Sequence, residues 1–92
     1  MPQKEGNKIF GEEIADESGL IRLSGMVDTV IYSNEENGYA VCALECEDGE
    51  IITATGTMPF ISEGDSVVLF GRWTHNPKYG RQFRAEQFER SL

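Results

Sequence analysis

Gly71-Arg-Trp-Thr-His-Asn-Pro-Lys-Tyr-Gly-Arg-Gln-Phe83 joins the end of one apolar run to the start of an alternating one. Pro77 and Gly80 are turn formers, so the stretch reads as strand, short loop over residues 74–80, strand. Trp73, His75, Lys78, Tyr79 and Arg81 fall together there. Aromatics interleaved with cations can stack on flat groups and neutralise phosphates. The same residues also suit a plain turn whose aromatics cap the core of a small β domain. The sequence leaves both readings open.

Around this stretch the chain is acidic. Its 92 residues suit one small domain with a single core, and they carry a net charge of −8. A negative sum argues against phosphate binding, but the distribution is uneven. Residues 1–70 hold three cations against fourteen acids, −11, while residues 71–92 hold Arg72, Lys78, Arg81, Arg84 and Arg90 against Glu86 and Glu89, +3. Two cysteines make no disulfide framework, and no charged-then-apolar leader opens the chain, so a cytoplasmic location is expected. The apolar runs fall far short of the roughly twenty residues of a membrane helix, so no membrane contact is expected.

Working outward toward the N-terminus, Ser66–Trp73 alternates Val67, Leu69, Gly71 and Trp73 with Val68, Phe70 and Arg72, a strand apolar on both faces. Thr57–Gly64 breaks the strand rhythm at Pro59, with Phe60 and Ile61 as its expected apolar anchors. Glu50–Gly56 and Tyr39–Cys46 are strands joined by Asp48-Gly49, a preferred hairpin pair. Asn37-Gly38 supplies the positive φ for the turn that precedes them. Arg22–Ser33 is a longer strand whose apolar positions change parity between Val27 and Val30, as a bulge would cause, with Gly25 as a candidate bulge or bend. Beyond the opening stretch, Arg81–Arg90 spaces Phe83, Ala85 and Phe88 among charges. Residues 1–19 are polar and aperiodic, and are expected as a flexible lead-in, with a short helix over residues 11–16 as the alternative.

Five short strands, a structured connector between the third and fourth, and glycines at bends predict an all-β domain over residues 20–92. The expected architecture is a small five-stranded Greek-key barrel, the OB-fold, with an SH3-like barrel as the competitor. OB barrels bind oligonucleotides on the face of their second and third strands, using the loops after the first and fourth. Those loops here are residues 33–38 and 74–80.

Several phrases are more specific. Leu23-Ser-Gly-Met-Val, Ile31-Tyr-Ser-Asn-Glu-Glu-Asn-Gly-Tyr-Ala-Val, Gly71-Arg-Trp and Pro77-Lys-Tyr-Gly-Arg-Gln-Phe resemble the N-terminal OB-like domain of RecD-like (RecD/TraA type) superfamily 1 DNA helicases. The resemblance spans about Leu20 to Phe88. It implies a non-catalytic accessory domain of a longer ATP-dependent 5′ to 3′ helicase, exodeoxyribonuclease V alpha-like, acting in DNA repair and recombination. It also implies single-stranded DNA and the rest of the helicase as partners, and ATP and Mg²⁺ as cofactors of the motor alone. No phosphate loop occurs in these residues, so none of the family's catalytic residues carries over.

The nucleic-acid-binding set expected from the two loops is Lys78, Tyr79, Arg81, Arg84, His75 and Trp73 with Asn37 and Tyr39. Trp73 shares parity with Val67 and Leu69, which also suits a core position, and Phe83 is a candidate for either stacking or barrel closure. Glu35 and Glu36 stand beside Tyr39 and would repel phosphate. The alternative function is therefore a protein-interaction domain that packs on the motor without binding DNA. Cys42 and Cys46 lie four apart on one strand, about 13 Å at ~3.3 Å per residue, too far for a disulfide. With one distant His they form no zinc set, and no cofactor or metal is expected in the domain itself.

Overall fold

The computed structural model describes residues 12–14, 19–78 and 80–90, the first group through its backbone alone. Six strands follow in chain order: β1 (Glu12–Ile14), β2 (Ile21–Ser33), β3 (Tyr39–Cys46), β4 (Ile51–Thr57), β5 (Ser66–Asn76) and β6 (Gly80–Arg90). No helix occurs among the described residues. The five expected strands are β2 to β6. β1 is an addition, pairing antiparallel with the start of β2 at Glu12↔Leu23 to Ile14↔Ile21. It lies inside the stretch read as a lead-in and occupies the middle of the alternative helix; the rest of residues 1–18 lies outside the described residues.

The sheet runs β1-β2-β3-β4-β6-β5 and closes through a further β2–β5 pairing. β2 is long enough, at 13 residues, to serve two neighbours. Its first half pairs with β5, from Ile21↔Gly71 to Met26↔Ser66. Its second half pairs with β3, from Gly25↔Cys46 to Ser33↔Ala40. β4 and β6 run parallel, with Ala54↔Phe83 and Thr55↔Arg84 in register. A parallel pair needs a crossover, so the path is a Greek key and not a meander. The result is the five-stranded closed barrel of the OB type.

The parity change in β2 is real. Register shifts fall between Val27 and Thr29 and between Val30 and Tyr32, so Asp28 and Ile31 are the extra residues. Gly25 is not itself a bulge. It sits where β2 begins to serve both neighbours, and a Cβ there would come within 2.5 Å of the Glu45 carbonyl oxygen.

Alternation builds the core. Ala40, Cys42, Leu44 and Cys46 of β3 point inward, opposite Leu23, Val27, Ala54, Val67, Leu69 and Phe83. Both cysteines are buried and unbridged. Met58 and Ile61 of the β4–β5 connector plug one end of the barrel. Here the sequence reading needs correction: Phe60 is no anchor and is 91% exposed. Its φ of +61° turns the side chain away from the core that Met58 and Ile61 fill.

Candidate nucleic-acid interface

The opening stretch is a hairpin, tighter than the loop expected over residues 74–80. The β5 alternation continues through Thr74, His75 and Asn76, and the ladder with β6 runs to Asn76↔Gly80. Only residues 77–79 bridge the strands. The Asn76 side-chain oxygen accepts the Lys78 N–H at 2.7 Å, an Asx turn, and Gly80 adopts φ +88° as such a bridge demands. Thr74 Oγ1 donates to the Gln82 carbonyl at 3.3 Å and ties the arm together.

Parity sorts the arm's side chains. Phe83 points inward and is fully buried, so it closes the barrel and is not available for stacking. Trp73, opposite it, packs against the core as a partly buried residue, T-shaped on Phe83 at 5.1 Å between ring centroids. Arg81 has the same parity one step nearer the tip, and its guanidinium lies 3.8 Å from the Trp73 ring centroid. That cation–π contact holds the guanidinium over the ring. It also covers a ring face, so Trp73 positions a cation instead of offering an open platform. His75 pairs across the ladder with Arg81 and is exposed, as is Lys78 at the tip. Tyr79 lies outside the described residues.

Arg84 faces the other way. It is exposed on the outer surface, where registers align Tyr32, Val41, Thr55, Arg84 and Arg72 in one row across β2, β3, β4, β6 and β5. With strands about 4.8 Å apart, Tyr32 and Arg84 stand roughly 14 Å apart along this row. Arg72 at its end is engaged by Glu86 at 3.2 Å, a half-exposed pair. At the other end Tyr32 and Tyr39 form a tilted pair with centroids 6.4 Å apart, both largely exposed. Thr53, Thr55 and Thr57 of β4 lie opposite Ala43, Val41 and Tyr39 on the same surface. The expected set is thus divided: His75, Lys78, Arg81 and Trp73 share the hairpin arm, while Arg84 and Tyr39 belong to the outer row.

Asn37 has a local task. Its side-chain oxygen accepts the Tyr39 N–H at 2.9 Å, and the Asn34 side-chain oxygen accepts the N–H groups of Glu36 and Asn37, at 2.8 and 3.3 Å. These bonds fix the turn that carries Tyr39. Glu35 and Glu36 are exposed on it, so the aromatic end of the row has an acidic border. Tyr32 was missed by the sequence reading. The bulge at Ile31 places it beside Tyr39, and only the cross-strand register reveals that.

No group of three or more His, Cys, Asp or Glu side chains able to hold a metal occurs among the described residues. No helix among them is long and apolar enough to cross a membrane. OB barrels commonly bind oligonucleotides on the face of their second and third strands and with the loops after the first and fourth, which here are β3, β4, the turn before β3 and the hairpin arm. A comparison with protein families matches residues 20–92 to the OB-fold domain of the ATP-dependent DNA helicase YrrC. That span takes in β2 through β6, the whole closed barrel, and the chain belongs to this helicase OB-fold family.

Proposed function

We propose that the domain holds single-stranded DNA for a RecD-like helicase that unwinds in the 5′ to 3′ direction, with ATP and Mg²⁺ used by the motor and not by this barrel. The observation that carries the reading is the hairpin arm: Lys78, His75 and Arg81 gathered on one short projection of an otherwise acidic chain, with Arg81 held over Trp73. Phosphates meet Lys78 and Arg81, with His75 beside them, while bases reach the Tyr32–Tyr39 pair along the outer row past Arg84. Stacking on one such aromatic contributes about 1–3 kcal/mol per base, and it is indifferent to sequence. Such a domain serves DNA repair and recombination in the cytoplasm by keeping the strand aligned with the motor.

Titration of a fluorophore-labelled oligothymidylate at low salt tests this. Saturable binding is expected, weakened at least tenfold in a Lys78→Ala/Arg81→Ala double variant. An unchanged affinity in that variant would refute the assignment.

A second reading, a domain that packs on the motor without touching DNA, draws on Glu35 and Glu36. The two acids sit at the end of the molecule away from the arm and beside Tyr39, so packing there leaves the arm exposed.

A further inference from the structure

We infer that Phe60 is a docking knob by which the barrel engages a basic-rimmed apolar pocket on the helicase motor. This rests on reading the chain as a helicase domain, and it concerns the end of the barrel opposite the DNA-contacting arm.

A single exposed apolar side chain is ordinary. The backbone beneath this one is not. Phe60 is the only non-glycine with positive φ among the described residues, at +61°, and its side chain is 91% exposed. A bulky residue in this region strains the chain with no compensating burial here. The strain is held by a dedicated clamp. Arg90 Nη2 donates to the carbonyl oxygens of Pro59 and Phe60, at 2.9 and 2.6 Å. Its Nε lies 3.6 Å from Asp65, whose carboxylate also accepts the Ser62 N–H at 2.9 Å. Backbone bonds between Val27 and Gly64–Asp65 seat the far end of the connector on β2, and a bond from Met58 N–H to the Gly38 carbonyl seats its start. The backbone that carries the knob is therefore fixed, so docking need not order the connector.

Charge indicates what it fits. Glu63 follows three residues later, and the turn bearing Glu35 and Glu36 abuts Pro59 through Gly38. All three acids are exposed, and none meets a cation among the described residues. Such a collar suits a protein pocket bordered by Lys or Arg. The helicase reading makes the motor that protein. Arg90, the clamp residue, is also the last residue of β6, which puts the end of the barrel's final strand beside Phe60. β5 runs from this pole to the arm over 11 residues, roughly 33 Å, so docking here leaves the arm's cations exposed.

The test uses the intact helicase with p-benzoyl-phenylalanine at position 60, irradiated and mapped by mass spectrometry. Cross-links into one motor segment that contains Lys or Arg are expected. Phe60→Ala and Glu63→Lys should each speed proteolytic separation of barrel from motor at least fivefold. In the 92-residue chain Phe60→Ala should leave oligothymidylate affinity within twofold, and Phe60→Gly should raise Tm by relieving the strain. Cross-links confined to a second copy of the chain or to DNA, or absent from the motor, would overturn the proposal. So would a loss of DNA affinity in Phe60→Ala, or a Phe60→Gly variant no more stable than the parent. Failure of the Lys78→Ala/Arg81→Ala test alone would remove the DNA assignment and leave this one standing.

Discussion

The salt dependence of DNA binding follows from a count of cations. Among the cations of residues 71–92, Arg90 holds the connector and Arg72 pairs with Glu86. Lys78, Arg81 and Arg84 are the exposed cations that the DNA reading assigns to phosphates. For single strands log K falls with log salt at about −0.7 per phosphate neutralised, so three contacts give a slope of about −2. Raising salt from ~50 to ~200 mM should then weaken binding about twentyfold. In Lys78→Ala/Arg81→Ala one contact remains, and the same change should cost only about threefold. Anisotropy titrations of a labelled oligothymidylate at four salt concentrations read both slopes. A wild-type slope near zero would mean that binding, if any, is not electrostatic. Equal slopes in the two proteins would mean the arm does not touch phosphate. Either result would refute the reasoning.

Other expectations concern the barrel itself. Gly71→Ala would drive a methyl into the Arg84 carbonyl oxygen and the Ala85 backbone, where the β5–β6 ladder shifts register, and neither can yield. The loss should be about 2–3 kcal/mol, a fall in Tm of roughly 10–20 °C, and a change below ~2 °C would contradict the close approach. Burial pushes the Cys42 thiol up to about 11 from 9.0. A raised pKa means its contribution to stability is intact below pH 9.0 and is lost as pH climbs toward 11. Relative to Cys42→Ala, the wild type should lose about 2 kcal/mol by pH ~10.5 in urea denaturation. A pH-independent difference between the two would sink that account.

Much of the barrel is legible in the sequence because its turns are chemically explicit. Gly38, Gly49 and Gly80 take the positive φ that their turns require, and the adjoining strands begin within a residue or so of where the alternation starts. β5 is longer than expected because Thr-His-Asn-Pro has loop composition, yet the ladder with β6 holds it extended to Asn76. What the sequence hides is whatever depends on a partner strand. Tyr32 joins Tyr39 only because the bulge at Ile31 rotates it outward. Arg81 lies on Trp73 only because the tight turn sets them one step apart in the ladder. Phe60 reads as core by composition, and only its backbone φ reveals the opposite. β1 is hidden for a similar reason, since three residues without alternation carry no period and are recruited by the open edge of β2.

The most direct measurement is an amide chemical-shift titration of the 92-residue chain with an oligothymidylate. The account predicts saturating shifts at His75–Lys78, Arg81–Arg84 and the Tyr32–Tyr39 pair, with the connector around Phe60 unmoved. Shifts centred on residues 58–65, or none at concentrations where the strand should be bound, would contradict it.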